Sequence, residues 1–127
     1  MRICIDTNIY SSLMRGDAET IDILEMADEI SVPSIVLGEL YAGFQMGKHY
    51  DKNIHELNLF LEKPGVEIID VDIEISQRYG YLVKALKKQG TPIPTNDIWI
   101  AAVAFETGSK LYTMDRHFEN VPGLFLL

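Results

Sequence analysis

Short apolar runs typical of β-strands alternate with segments of helical periodicity along the whole chain. The predicted strands are residues 2–5 (RICI), 30–32 (ISV), 66–71 (VEIIDV), 110–113 (KLYT) and 124–127 (LFLL). Apolar residues at helical spacing between them predict helices over about residues 8–14, 19–27, 35–46, 50–62, 73–89 and 96–106. Strands separated by helices are typical of a mostly parallel sheet that is covered on both faces. The pattern therefore predicts an α/β fold in which residues 1–127 form one three-layer α/β/α sandwich around a five-stranded, mostly parallel sheet.

Four acidic residues occur where a strand or loop leads into the next helix. They are Asp6, Glu39, Asp97 and Asp115, and each lies in or beside an apolar run, where an unpaired charge is costly. Ligands of such sheets bind outside the carboxyl ends of the strands, so this order of elements lets all four converge on one edge. Oxygen ligands suit Mg²⁺ or Mn²⁺, and no pattern of His and Cys ligands competes for the role. The sequence thus predicts an acidic pocket for divalent cations.

Two of these carboxylates also have a structural explanation. Asp6 could cap the following helix, but Thr7 could do so instead and leave Asp6 free. Asp97 could be a first-turn acid that the helix dipole favours, yet Thr95 and Asn96 already offer capping oxygens. We interpret both as ligands.

The other two differ in how much they indicate alone. Glu39 is predicted in mid-helix within a nearly apolar run, where a charge needs a partner. The neighbouring Gly38 and Gly43 lower helix propensity, which would be explained by close backbone packing near a ligand. Asp115 by itself is compatible with ordinary turn chemistry, and its significance comes from the other three acids.

Other polar residues are predicted to have structural roles. Asp72 is expected to cap the fifth helix, with Glu74 in its first turn and Asp70 at the end of a strand. His49 and His117 are expected to be surface residues and not ligands.

The charge balance opposes a simple nucleic-acid interface. The net charge is −8, with 11 basic against 19 acidic residues, whereas phosphate backbones attract Lys and Arg. Cations bound in the acidic pocket would offset part of this excess. No apolar run reaches the ~20 residues of a membrane span, and the start of the chain has no signal-peptide pattern. A cytoplasmic protein that does not contact membranes is expected.

Four motifs follow one another along the chain: ICIDTN (3–8), SIVLGEL (34–40), IPTNDIWIAAVA (93–104) and LYTMDRHF (111–118). Together they resemble the PIN-domain ribonucleases, and specifically the VapC-like toxins of bacterial toxin–antitoxin pairs. The resemblance extends over the whole chain, with the motifs in the order of the family.

The resemblance implies a metal-dependent endoribonuclease toxin that hydrolyses RNA phosphodiester bonds and is neutralised by a cognate antitoxin, a small VapB-like DNA-binding protein. It implies that the catalytic and metal-binding acids are Asp6, Glu39, Asp97 and Asp115. On this reading Asp6 and Asp97 hold the principal Mg²⁺ or Mn²⁺, and the other two complete the site or bind a second ion. The implied supporting residues are Thr7, Asn8, Asn96 and Thr113, with Arg116 as a possible phosphate contact.

A homodimer is also expected, with the antitoxin bound as a helix in an apolar groove. The third and fourth helices are predicted to carry more apolar residues than one face can bury, namely Leu40, Tyr41, Phe44, Leu57 and Phe60.

Two alternatives belong to other functional classes. The first is a catalytically inactive PIN-fold module that binds RNA or protein. The second is a phosphotransferase of the haloacid dehalogenase kind with Asp6 as nucleophile. That chemistry usually has a second Asp two residues later, where this chain has Asn8, so the sequence argues against it.

Overall fold

A parallel four-stranded sheet lies at the centre of the computed structural model, which describes residues 1–127. The strands are β1 (Arg2–Ile5), β2 (Glu29–Pro33), β3 (Val66–Ile69) and β4 (Lys110–Tyr112). Their order is β3-β2-β1-β4, and every neighbouring pair is parallel. The predicted parallel sheet is confirmed.

Six α-helices connect and cover the strands. They are α1 (Thr7–Met14), α2 (Ala18–Met26), α3 (Ser34–Met46), α4 (Tyr50–Leu61), α5 (Ile73–Lys88) and α6 (Thr95–Thr107), followed by a 3₁₀ helix (Arg116–Asn120). All six lie within one residue of their predicted bounds. Right-handed crossovers, the rule for parallel strands, place α1 to α4 on one face of the sheet and α5 and α6 on the other. None of the helices is both long enough and apolar enough to cross a bilayer.

The burial of β1 demonstrates the three layers. Ile3, Cys4 and Ile5 are consecutive and have no exposed surface. Because successive side chains of a strand point to opposite faces, both faces at this position are covered. The three residues belong to one continuous core of 26 buried hydrophobic residues.

The predicted fifth strand at residues 124–127 is wrong. This segment makes only a single bridge, between Leu111 and Leu126, through two hydrogen bonds of Leu111 with the residues on either side of Leu126. The Leu111 N–H donates to the Phe125 carbonyl at 2.8 Å, and the Leu127 N–H donates to the Leu111 carbonyl at 2.9 Å. Pairing stops there because β4 is only three residues long and the turn before Leu124 bends the chain at Gly123, where φ is +77°.

The helices also bury more of their apolar residues than expected. Of the five residues predicted to form surplus surface, Leu40, Leu57 and Phe60 lie in the core, so that prediction is wrong for them. Tyr41 is exposed and Phe44 is half-buried. The reason is that α3 and α4 pack against β2 and β3 as well as against each other.

The direction of strand addition reverses beside β1. The chain moves from β1 outward to β2 and β3 and then returns to the other side of β1 for β4. A crevice forms at the carboxyl ends of strands where the order reverses. Ile5 pairs in register with Tyr112, so the next residues, Asp6 and Thr113, emerge side by side at this crevice.

Candidate active site

A polar pocket of about 400 Å³ opens at this crevice. Its lining includes all four carboxylates singled out in the sequence and only one hydrophobic side chain. The lining residues are Asp6, Thr7, Asn8, Glu39, Pro94, Thr95, Asn96, Asp97, Ile100, Asp115 and His117.

Asp6 lies at the junction of β1 and α1 and is almost completely buried. Its Oδ1 accepts the Ile9 N–H at 3.1 Å, and its Oδ2 accepts the Thr113 hydroxyl. Asp6 is therefore the N-cap of α1, so the suggestion that Thr7 caps this helix is wrong. Capping and pocket formation are compatible because the two carboxylate oxygens have different partners.

Glu39 reaches the pocket from the middle of α3. Its Oε1 accepts the Thr7 hydroxyl at 2.7 Å, which links α3 to the first turn of α1. Glu39 is only partly buried, so solvent and this hydrogen bond reduce the cost of its charge. Packing within the chain does not require Gly38 or Gly43, because a Cβ atom at either position would meet no protein atom within 4 Å.

Asp97 lies in the first turn of α6. This helix follows Pro94 and has no side-chain cap, so the expected capping by Thr95 or Asn96 does not occur. Both of these residues instead line the pocket. Asp97 Oδ2 lies 3.4 Å from Nδ1 of His117.

Asp115 caps the 3₁₀ helix that follows β4. Its Oδ1 accepts the His117 N–H at 2.9 Å, and its own N–H donates to the Thr113 hydroxyl oxygen at 2.9 Å. Thr113 thus links the two acids that follow β1 and β4, although it does not itself line the pocket.

His117 is an exposed residue, as predicted, but it also lines the pocket. Its side chain is 53% exposed, but Nδ1 lies 3.3 Å from Asp115 Oδ1 as well as near Asp97. The contact with Asp115 could have been predicted from the sequence, since a His two residues after a capping Asp lies beside it. The contact with Asp97, 20 residues earlier, depends on the tertiary fold. Arg116 points elsewhere: its side chain is 88% exposed and lies 3.8 Å from Glu119.

The pocket disfavours ionisation of two of its acids. Burial raises the pKa of Asp6 above its usual value, and hydrogen bonds from Thr113 and Ile9 oppose this effect. Burial is also the main cause that raises the pKa of Asp97. The hydrogen bond with His117 opposes this effect, and the negative charges of Asp115 and Glu39 add to it. A cation in the pocket would reverse this balance.

One group of donors is compact enough for a single cation. Ligand atoms of Asp97, Asp115 and His117 all lie within 4.8 Å of one another. Opposite ligands of a cation bound at about 2.1 Å are separated by about 4.2 Å, so this group fits a divalent ion with little movement. It differs from the expected pair of Asp6 and Asp97, since Asp6 does not belong to this compact group.

Known proteins resemble this chain in both sequence and fold. The PIN domain family matches residues 3–124. Ribonuclease VapC2 of Rickettsia felis is 32% identical, covering 96% of this chain and 93% of the relative. Ribonuclease VapC1 of a Haemophilus influenzae strain is 31% identical, covering 94% and 92%.

Two solved structures show the same architecture. VapBC2 from Rickettsia felis, bound to a DNA fragment from its promoter, aligns with a TM-score of 0.90 at 30% identity over 100% of this chain and 98% of that one. VapBC-1 from nontypeable Haemophilus influenzae aligns with a TM-score of 0.88 at 29% identity, covering 100% and 97%. With the family match spanning nearly all of its residues, this chain belongs to the PIN domain family.

Proposed function

We propose that this chain is a divalent-metal-dependent endoribonuclease that acts as the toxin of a toxin–antitoxin pair, with residues 1–127 working as one catalytic domain. The observation that carries the proposal is the convergence of four carboxylates, from four separate elements, on one pocket where the strand order reverses. Relatives at about 30% identity over nearly the full chain are ribonucleases by name. An RNA substrate makes the cytoplasm the place of action.

Different side chains of the pocket would have different roles in phosphodiester hydrolysis. Asp97 and Asp115 would hold Mg²⁺ or Mn²⁺, which supplies Lewis-acid activation of water and stabilisation of charge on phosphoryl oxygens. Asp6 keeps a fixed position through its two hydrogen bonds and contributes negative charge at the base of the pocket. Glu39 has one oxygen held by Thr7, which leaves the other free to accept a proton from an attacking water.

Cleavage of RNA by purified protein tests this proposal. Activity should require Mg²⁺ or Mn²⁺ and disappear in excess EDTA. Asp97→Asn should lower the rate by at least roughly a hundredfold, because the change removes a ligand charge where phosphoryl charge develops. Asp70→Asn is a matched control, since Asp70 is exposed and does not line the pocket. Undiminished cleavage in EDTA would contradict the metal mechanism, and RNA binding without any cleavage would favour the inactive binding module.

We further propose that the antitoxin binds as a helix in an apolar groove of about 610 Å³ between α1, α2 and α4. Side chains of all three helices line it, including Leu13, Leu24 and Leu59. The surplus of apolar residues was expected on α3 and α4, whereas this groove is lined by α4 together with α1 and α2. Its charged lining residues are Glu25, Asp28, Glu56 and Lys63. The excess of acids over bases favours basic residues beside the apolar face of the partner.

Titration of cleavage with the partner tests neutralisation. A VapB-like antitoxin should abolish activity at one equivalent. An antitoxin variant in which basic residues near its toxin-binding helix are replaced should bind more weakly, and the difference should shrink at high salt. Equal inhibition by both forms at low salt would show that apolar contact and steric blocking suffice.

A further inference from the structure

His117 contributes the only imidazole ring to the lining of the pocket. Its Nδ1 lies 3.3 Å from Asp115 Oδ1 and 3.4 Å from Asp97 Oδ2. Neighbouring ligands of a cation bound at about 2.1 Å lie about 3 Å apart, so His117 Nδ1 is close to that spacing from an oxygen of each carboxylate.

Local structure fixes the backbone that carries this ring. The Asp115 carboxylate accepts the backbone N–H of His117, which fixes residue 117 against the first turn of the 3₁₀ helix. The next residue, Phe118, is buried in the core and anchors the same turn. The ring therefore faces the two carboxylates, although half of its surface is exposed to solvent.

We propose that His117 Nδ1 is a ligand of the cation held by Asp97 and Asp115, and that it makes this site prefer Mn²⁺ to Mg²⁺. The inference rests on the proposed metal dependence and deepens it. Mg²⁺ is bound almost entirely through oxygen, whereas Mn²⁺, although the weakest binder among the first-row divalent ions, accepts an imidazole nitrogen more readily than Mg²⁺ does. A site with two carboxylates and one imidazole consequently discriminates between the two ions, which a site built of carboxylates alone does poorly.

The direct test is the electron spin-echo modulation of Mn²⁺ bound to the protein without RNA. Modulation from a coordinated ¹⁴N nucleus is expected in the unchanged protein and should be absent in His117→Gln. His55→Gln is the matched control, because His55 is an exposed residue of α4 and does not line the pocket. Its ¹⁴N signal should equal that of the unchanged protein.

Binding competition measures the selectivity. We expect His117→Gln to weaken Mn²⁺ binding by at least roughly tenfold, the scale on which even supporting residues affect metal affinity. Mg²⁺ binding should change less, so the ratio of the two dissociation constants should move toward one. Isothermal titration with each ion gives both values, and circular dichroism checks that the variant is folded.

The outcomes separate this inference from the proposed function. Mn²⁺ that binds without ¹⁴N modulation would overturn ligation by His117 and leave a carboxylate metal site intact. Modulation that persists in His117→Gln would equally overturn it. A protein that binds neither Mn²⁺ nor Mg²⁺ would contradict the metal dependence itself, and with it this inference.

Discussion

Single residues of this pocket serve the fold and the site together. Asp6 caps α1 and Asp115 caps the 3₁₀ helix, yet both carboxylates line the pocket. Structural and chemical explanations of an acid are therefore not exclusive here. Asp97 is different, because its carboxylate caps nothing and its pKa is raised by burial and by neighbouring acids. In the absence of metal, its charge is a cost to the fold.

Asp97→Asn should raise the stability of the metal-free protein at neutral pH. An acid whose folded-state pKa is raised stabilises the fold fully below its unfolded value of 3.8, and this contribution is lost as the pH rises through the folded pKa. Asn does not titrate. The stability of the variant relative to the unchanged protein should therefore grow as the pH rises from 3.8 to the folded pKa of Asp97 and stay constant above it. Melting temperatures in EDTA from pH 3 to 7.5 measure this difference.

Asp17→Asn is a control with the opposite sign. Hydrogen bonds from Thr20 lower the pKa of Asp17, so the contribution of its charge is present above 3.8 and lost as the pH falls through the folded pKa. The Asn variant should therefore be at its greatest disadvantage at neutral pH. If both variants show the same pH trend, general charge repulsion and not the pocket governs the effect of Asp97.

Tyr10→Phe should leave stability unchanged or increase it. The Tyr10 hydroxyl is buried with no hydrogen-bond partner, while its ring packs edge-on against Phe60 at 5.4 Å. Burial, aided by the charge of Glu56, raises the pKa of Tyr10 to about 12. Removing an unsatisfied hydroxyl and keeping the ring relieves a penalty of about 1–3 kcal/mol at most. Urea unfolding measures the change in the free energy of unfolding.

Tyr112→Phe is the matched comparison. Its buried hydroxyl lies 3.4 Å from the Thr20 hydroxyl, so the same deletion removes a hydrogen bond and should cost about 1 kcal/mol. A larger loss for Tyr10→Phe than for Tyr112→Phe would mean that the Tyr10 hydroxyl has a partner in solution.

At the scale of elements, some apolar residues of α4 lie in the core and others line the groove between α1, α2 and α4. Leu57 and Phe60 are buried in the core, whereas Leu59 is 52% exposed and lines the groove. One helix thus supports the fold on one side and offers a binding surface on another. Substitutions two residues apart should separate these roles.

Leu57→Ala should destabilise the protein by about 2–5 kcal/mol, the usual cost of a cavity at a fully buried leucine. Leu59→Ala should change stability by no more than about 0.5 kcal/mol, because its side chain is half in solvent. The second variant should nevertheless bind the antitoxin more weakly. Chemical denaturation and a binding titration measure the two effects, and unchanged antitoxin affinity of Leu59→Ala would place the partner on another surface.

On the scale of the whole molecule, acidic charge and exposed apolar side chains have opposite effects on association. The net charge of −8 makes identical subunits repel each other. Large apolar side chains nevertheless remain outside the core, including Met46 at 83% exposure, Ile73 at 73% and Tyr81 at 65%. Burial of such residues in a symmetric interface favours self-association.

We therefore expect a homodimer at micromolar concentration. Because charge repulsion opposes this association and salt screens it, 0.5 M NaCl should leave the dimer intact or strengthen it. Sedimentation velocity at low and high salt measures both properties. A monomer under both conditions would contradict the dimer, and a dimer that dissociates in salt would mean that ion pairs hold it together.

Local chemistry decided much of what the sequence alone predicted. The six helices lie within one residue of their expected bounds because apolar periodicity is itself a local signal. Asp72 caps α5 as expected, accepting the Ile75 N–H at 2.9 Å. Alternation of strand and helix determined a parallel sheet with both faces covered, and from this followed the edge at which acids after the strands would gather.

Tertiary structure alone decided which polar groups meet. Asp6 bonds to Thr113, 107 residues away, because the register of β1 with β4 places them side by side. His117 joins Asp97 because the 3₁₀ helix packs beside α6. The short pairing at Leu126, the groove between α1, α2 and α4, and the burial of Phe60 likewise depend on how elements pack. Periodicity along a chain determines which face of an element is apolar, whereas the neighbour of that face is determined only when the elements assemble.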